Sequence, residues 1–218
     1  MTMSPIKAVI FDMDGVISDT QKLHALIEEK LLKKYGIELD SDEITEKYAG
    51  LPDKEFFEKI FKDYKISVDV EKVINEKWNE MMDIAKNNIS PIQGAIELIN
   101  QLKENGFKLA VASSSPHSFI ELVLSELKLK EKFDVIVSTE DVKFGKPNPE
   151  IFLLAAKKLR KDPSECVVIE DGINGIIAAK RGGMKCIFLT RKNKDQQFAD
   201  LAISSLKELS AKRIKNFL

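Results

Sequence analysis

The stretch Ile6-Lys7-Ala8-Val9-Ile10-Phe11-Asp12-Met13-Asp14-Gly15-Val16 decides how this 218-residue chain is read. Residues 6–11 are short and almost wholly apolar, the pattern of a parallel strand buried on both faces. The run ends in two carboxylates spaced two apart, and residues i and i+2 of a strand point to the same side. Gly15 then permits a tight turn. Open α/β folds gather ligands outside the carboxyl ends of their parallel strands. Two acids clustered there suit a hard cation such as Mg²⁺. The first acid can also serve as a nucleophile, because a carboxylate forms an acyl-phosphate. An isolated Asp-x-Asp-Gly is equally served by turn chemistry, so the rest of the chain has to decide.

Four more runs of the same kind follow: Lys108–Ala112, Asp134–Ser138, Cys166–Glu170 and Lys185–Leu189, with a short strand expected at Leu201–Ile203. Helical spacing fills the gaps over 91–105, 116–127, 149–159 and 173–181, and a last helix is expected over 204–218. Strands alternating with helices predict an α/β fold with a parallel sheet. The alternation breaks once. Residues 19–88 contain no convincing strand and read as helices over 20–35, 42–48, 53–63 and 70–86. That length exceeds a single crossover, so a helical insert after strand one is expected.

The predicted strand ends keep collecting polar groups. Strand two runs into Ser113-Ser114-Ser115-Pro116, where hydroxyls and helix-opening N–H groups would hold a phosphate oxygen. Taken alone, Ser113 reads as well as a helix cap. Gly145-Lys146-Pro147-Asn148-Pro149 fixes a lysine between Gly and Pro and aims its charge, although a loop lysine is usually solvated. Strand four ends in Glu170-Asp171-Gly172, a second acidic pair that turn chemistry would also explain. Jointly, the set places two Asp, a Ser, a Lys and a Glu-Asp pair at successive strand ends in one crevice.

Bulk properties remove several function classes. A net charge of −1 argues against electrostatic binding of nucleic acid or of a membrane surface. The longest apolar run is the six residues Ile151–Ala156, too short to span a bilayer. The N-terminus lacks the layout of a secretory signal. Cys166 and Cys186, the only two cysteines, make no disulfide scaffold, so a reducing, cytoplasmic setting is expected.

The ordered set Asp12-Met13-Asp14-Gly15-Val16, Ser113, Lys146-Pro147-Asn148-Pro149 and Glu170-Asp171 resembles the four motifs of the haloacid dehalogenase superfamily of phosphohydrolases. More narrowly, it is similar to the β-phosphoglucomutase-like and sugar-phosphatase branch, over essentially the whole chain. The resemblance implies a Rossmann-like parallel-sheet core formed by residues 1–18 and 90–218. It implies a small α-helical cap formed by 19–89, which closes over the core and selects the substrate. It further implies that Asp12 attacks phosphorus and becomes an aspartyl-phosphate. Asp14 would protonate the leaving alcohol and then activate water. Mg²⁺ would be held by Asp12, Asp14 and Asp171, with Glu170 as a further ligand or support. Ser113, Ser114 and Lys146 would grip the phosphoryl oxygens. Dehalogenases of the superfamily lack an acid at the second position, so Asp14 disfavours dehalogenation. The partner implied is a small phosphomonoester, on a monomer or homodimer.

For the cap, His24, Lys54 and Lys77 are the substrate-contacting candidates. His24 resembles a histidine that mutases of the branch carry near the hinge, but it also fits an amphipathic helix. Phe56, Phe57, Ile60 and Phe61 form an apolar helix face suited to the cap interior or to a cap–cap contact. Mutases place an Arg a few residues after a cap Gly, where it holds the non-reacting phosphate bidentately. Here the segment is Ala49-Gly50-Leu51-Pro52-Asp53-Lys54, with Asp53 at that position, and no Arg precedes Arg160. A phosphatase is therefore expected ahead of a phosphosugar mutase. A phospho-aspartate regulatory module is the alternative from another class. Receivers of that type are smaller, lack a helical insert and take the nucleophile from a middle strand.

Overall fold

The computed structural model describes residues 5–48, 51–86, 88–190 and 198–216. Its centre is a six-stranded parallel sheet of β1 (Ala8–Phe11), β2 (Lys108–Ser113), β3 (Val135–Ser138), β4 (Cys166–Glu170), β5 (Lys185–Leu189) and β6 (Leu201–Ile203). The strand order is β3-β2-β1-β4-β5-β6, with Phe11 beside Val111 on one side and Ile169 on the other. The chain thus builds outward from β1 in one direction, then returns to the other side of β1 and builds outward again. This is the doubly wound α/β order, whose ligand crevice lies where the order reverses, between β1 and β4.

Period-two alternation sends each strand's side chains into two cores. Val9, Phe11, Leu109, Val111, Val167 and Ile169 face α5 (Ala95–Glu104), α6 (His117–Glu126) and α9 (Ala211–Lys215). Ala8, Ile10, Ala110, Ala112, Cys166 and Val168 face α7 (Glu150–Leu159) and α8 (Ile173–Arg181). Both faces are covered, so the strands read as continuous apolar runs. Cys166 and Cys186 are free and buried, and burial pushes the Cys166 thiol up to about 12, leaving it inert.

Between β1 and α5 run α1 (Gln21–Lys33), α2 (Ser41–Tyr48), α3 (Asp53–Asp63) and α4 (Val70–Ala85). Phe56, Phe57, Ile60 and Phe61 are at most 3% exposed, so they fill the interior of this helical segment. Each such fully buried side chain contributes roughly 1.5–3 kcal/mol. The segment is joined to the sheet by two chain crossings that lie side by side. Asp19 N–H donates to Ser90 O, and Ile92 N–H donates to Ile17 O, both at 2.9 Å.

Several predicted ends shift. The first strand narrows to Ala8–Phe11. The helix expected over 91–105 starts at Ala95, because Gly94 precedes it in the left-handed region at φ +88°. The last expected helix breaks in two. Ser205 caps a single 3-10 turn at Leu206–Glu208, and Ser210 caps the five-residue α9. Two serines that bond the N–H groups ahead of them hold the backbone extended between those turns. Residues 217–218 of that expectation lie outside the described residues, as do Ala49 and Gly50. Among the described residues no helix is long and apolar enough to cross a membrane.

Candidate active site

Asp12 follows β1 directly, and its backbone N–H donates to Ile169 O of β4 at 3.0 Å. The chain then turns within five residues. Gly15 N–H donates to Ser18 O at 2.8 Å, while Met13 O accepts from Ile17 at 2.8 Å and from Ser18 at 3.1 Å. Gly15 is required twice in this loop. Its φ is +82°, and a Cβ there would fall 1.9 Å from Asp171 Oδ2.

Lys146 reaches the same point from the loop ahead of α7. Its side chain is 4% exposed. Its Nζ donates to Asp12 Oδ1 and, at 2.7 Å, to Glu170 Oε1. Glu170 Oε2 accepts from Gly172 N–H at 2.7 Å, which fixes the carboxylate plane. Gly175 makes room for it, since a Cβ there would lie 1.7 Å from Glu170 Oε1.

Asp12, Glu170 and Asp171 bring one carboxylate oxygen each within 4.8 Å of one another. One ammonium faces three carboxylates, so negative charge is in surplus. Burial, joined by the Glu170 and Asp14 charges, pushes Asp12 up to about 8 against the pull of Lys146. Burial followed by the Glu170 and Asp12 charges raises Asp171 well above the carboxylate range. Burial disfavours the Lys146 ammonium, but Asp12 and Glu170 outweigh that and raise it. An all-oxygen donor set with unbalanced negative charge fits a hard divalent cation.

Asp14 stands apart, in a second network. Its Oδ1 accepts from Thr20 Oγ1, and its Oδ2 accepts from Ser115 Oγ at 2.9 Å and Ser113 Oγ at 3.3 Å. His24 Nε2 lies 3.4 Å from Oδ1 without hydrogen-bond alignment. Burial pushes Asp14 up, but His24 and the hydroxyl donors outweigh it and hold the carboxyl at about 2. The His24 ring packs edge-on between Trp78 at 5.5 Å and Phe119 at 5.9 Å.

The predicted residues therefore divide. Asp12, Lys146, Glu170 and Asp171 meet at one point, with Asp14, Ser113 and His24 beside it. Ser114 is half-buried in the bend and bonds none of these groups. Lys54 is exposed on α3 and pairs with Glu71 at 3.4 Å. Lys77 is not free to meet a substrate either. It is 1% exposed and donates to Glu28 Oε1 at 2.6 Å and to Asp53 Oδ1. Thr20 and Ser115 escaped the sequence reading. The only signal for Ser115 was a hydroxyl two residues past Ser113 and just before a proline, and a serine there also serves as a cap.

The doubly wound sheet with Asp12 at the end of its first strand defines a class, and its relatives give that class a name. The chain belongs to the haloacid dehalogenase-like hydrolases, whose family model matches residues 9–189. It is 31% identical over 233 residues to hexitol phosphatase B of Escherichia coli, with 97% of each chain covered. It is 36% identical over 205 residues to the bifunctional riboflavin kinase/FMN phosphatase of Arabidopsis thaliana. That match covers 92% of this chain but 54% of the relative, so the chain spans about half of that protein. The crystal structure of β-phosphoglucomutase from Clostridium difficile superimposes with a TM-score of 0.83 at 31% identity, covering 96% of this chain and 95% of that one.

Proposed function

We propose that this chain is a Mg²⁺-dependent phosphatase that hydrolyses a small phosphomonoester, a sugar or polyol phosphate, through an aspartyl-phosphate on Asp12. The observation that carries the reading is the junction of Asp12, Lys146 and Glu170 at the β1–β4 switch point, with Asp14 held separately two residues on. Asp12, Glu170, Asp171 and the Asp14 main chain are the groups that would hold the cation. When bound, Mg²⁺ supplies positive charge that keeps Asp12 ionised and screens the incoming phosphoryl group.

The remaining steps belong to the side chains. One Asp12 oxygen attacks phosphorus, an aspartyl P–O bond forms, and the ester P–O bond breaks. Lys146 and Ser113 hold the phosphoryl oxygens as charge spreads over them. Asp14 gives its proton to the departing oxygen. A water then attacks the phosphorus of the aspartyl-phosphate and passes its proton to Asp14. Asp12 and inorganic phosphate are released. Asp14 can carry that proton only after His24 and the Thr20 and Ser115 hydroxyls cease to stabilise its anion, so substrate must displace part of that network.

We assign residues 1–18 and 90–218 to a catalytic core and 19–89 to a cap. The paired crossings at Asp19–Ser90 and Ile17–Ile92 support a two-stranded hinge there. The phosphatase reading is favoured over the mutase reading because Asp53, which stands where a mutase needs a phosphate-binding cation, is already paired with Lys77. Free, buried cysteines support a reducing, cytoplasmic setting. The test is phosphate release over a panel of phosphomonoesters with Mg²⁺. Loss of release both with EDTA and in Asp12→Asn is expected. Release that survives Asp12→Asn would refute the mechanism.

A further inference from the structure

The Lys146 ammonium carries three N–H donors. Asp12 Oδ1 and Glu170 Oε1 take two of them. Its third contact is a ring: Nζ lies over the face of Phe152, 4.9 Å from the ring centre. That separation is within the range at which the negative face of an aromatic ring attracts a cation.

Phe152 is unusual for its place. It is fully buried on the first turn of α7. Among the described residues, it is the only aromatic one buried in the core beneath α7 and α8, which otherwise consists of Ala, Ile, Val, Leu, Cys and Met. Aliphatic side chains of the right volume fill such a core equally well, so packing alone does not call for a ring there.

The loop between the two residues is braced at both ends. Phe144 N–H donates to Glu150 Oε2 at 3.0 Å, and Asn148 N–H donates to Gly145 O at 2.9 Å. Arg181 Nη1 donates to Pro147 O at 3.2 Å, and Asn148 Oδ1 accepts from Glu150 N–H at 3.0 Å. Lys146 and Phe152 therefore belong to one tied unit, and α7 sets that unit against β1, β2 and β3.

The ring and the carboxylates differ in what the reaction does to them. Asp12 gains a bond to phosphorus and loses its carboxylate charge. The ester P–O bond breaks, and the departing oxygen takes the electron pair and the Asp14 proton. The negative charge then left beside Lys146 is on the phosphoryl oxygens, so the N–H held at Asp12 Oδ1 must turn to them. The Phe152 face neither reacts nor titrates, so its attraction for the ammonium is the same before and after that exchange.

We propose that Phe152 is a positioning residue for Lys146: its ring face holds the ammonium in place while one lysine N–H passes from Asp12 to the phosphoryl oxygens. This rests on the phosphatase reading and adds to it a residue that touches no substrate.

The test replaces Phe152 in the full chain by mono-, di- and trifluorophenylalanine, which weaken the negative ring face and change its shape little. With Mg²⁺ and para-nitrophenyl phosphate, kcat should fall stepwise along the series, to about a tenth at three fluorines. KM should stay within about twofold, because the contact serves the reacting state. Phe152→Leu should lose at least as much. A kcat that is level across the fluorinated series overturns the proposal, even where Phe152→Leu is slow, because packing then accounts for the ring. A second readout needs no turnover. In metal-free protein the series should lower the melting temperature stepwise when Lys146 is present and leave it level in Lys146→Leu, or in Lys146→Gln where the leucine variant does not fold. Equal slopes with and without the lysine overturn the proposal. If the unsubstituted chain hydrolyses neither para-nitrophenyl phosphate nor glycerol 3-phosphate, the phosphatase reading itself has failed, and the melting comparison still decides whether the ring holds the ammonium.

Discussion

Lys146 and Asp12, 134 positions apart in the chain, form a buried ion pair at the end of β1, and the same ammonium also holds Glu170. Replacing the lysine leaves two buried carboxylates without their cation. Lys146→Met should therefore lower kcat/KM by about 10²–10³, the loss typical of a missing electrostatic contact to the reacting group. It should also cost the metal-free protein about 3 kcal/mol. Asp12 is already raised to about 8, so in the variant the buried acids escape the penalty by taking up protons. A folded state that binds more protons than the unfolded state loses stability as pH rises. Urea unfolding should show a larger deficit at pH 8.5 than at pH 6, and an equal deficit at both would contradict this account.

Two glycines make the acidic cluster possible. Gly15→Ala places a methyl 1.9 Å from Asp171 Oδ2 in a backbone at φ +82°, and Gly175→Ala places one 1.7 Å from Glu170 Oε1. Either change must move a carboxylate or the loop beneath it. Both variants should lose at least about 10²-fold in phosphate release, since a displacement near 1 Å is enough for that. Gly15→Ala should also carry a stability cost of about 1 kcal/mol or more from the left-handed backbone. Activity near wild type in either variant would show that the carboxylate positions are not required.

Away from the site, Asp134 ties the sheet edge. Its Oδ2 accepts from Leu109 N–H at 2.9 Å and Lys103 Nζ at 3.0 Å, and its Oδ1 accepts from Lys108 Nζ at 2.8 Å. Burial pushes Asp134 up, but those donors outweigh it and hold the carboxyl at about 2. Its folded pKa lies below its unfolded value, so its contribution is complete above about pH 5 and disappears as pH falls toward 2. Asp134→Ala should cost about 2 kcal/mol in denaturant unfolding at pH 7 and almost nothing near pH 2. A deficit independent of pH would indicate lost packing alone.

Much of this was legible in the sequence because strand ends in a parallel sheet converge on one edge. Asp12, Ser113 and Glu170 each stand at the end of an apolar run, so their common location followed from the α/β pattern, while Lys146 was marked by its place between Gly145 and Pro147 ahead of a helix. What was not legible depends on which side chain reaches furthest. Ser115, not Ser114, turns its hydroxyl to Asp14, and Thr20 reaches back across the loop to it. Neither direction has a sequence period. Lys77 read as a substrate lysine because its partners, Glu28 and Asp53, sit on other helices and are far away in the chain. The broken C-terminal helix was hidden for a different reason, because serine caps compete locally with helical spacing.

The acidic surplus around Asp12 makes one prediction that needs no substrate. Three carboxylate oxygens within 4.8 Å of one another, opposed by one ammonium, favour either a proton or a cation. Mg²⁺ should raise the melting temperature, because a ligand that binds only the folded state adds about 2.7 kcal/mol at a hundredfold excess over its Kd. Protons compete for the same oxygens. Burial holds Asp12 at about 8 against the pull of Lys146, so raising the pH from 6.5 to 8.5 takes it from mostly protonated to mostly ionised. The apparent Kd for Mg²⁺ should fall by about tenfold over that range. Asp171→Asn removes one of the three donors and should abolish most of the shift at both pH values. A Mg²⁺-induced shift that is identical at the two pH values, or that survives Asp171→Asn, would place the cation somewhere other than at the end of β1.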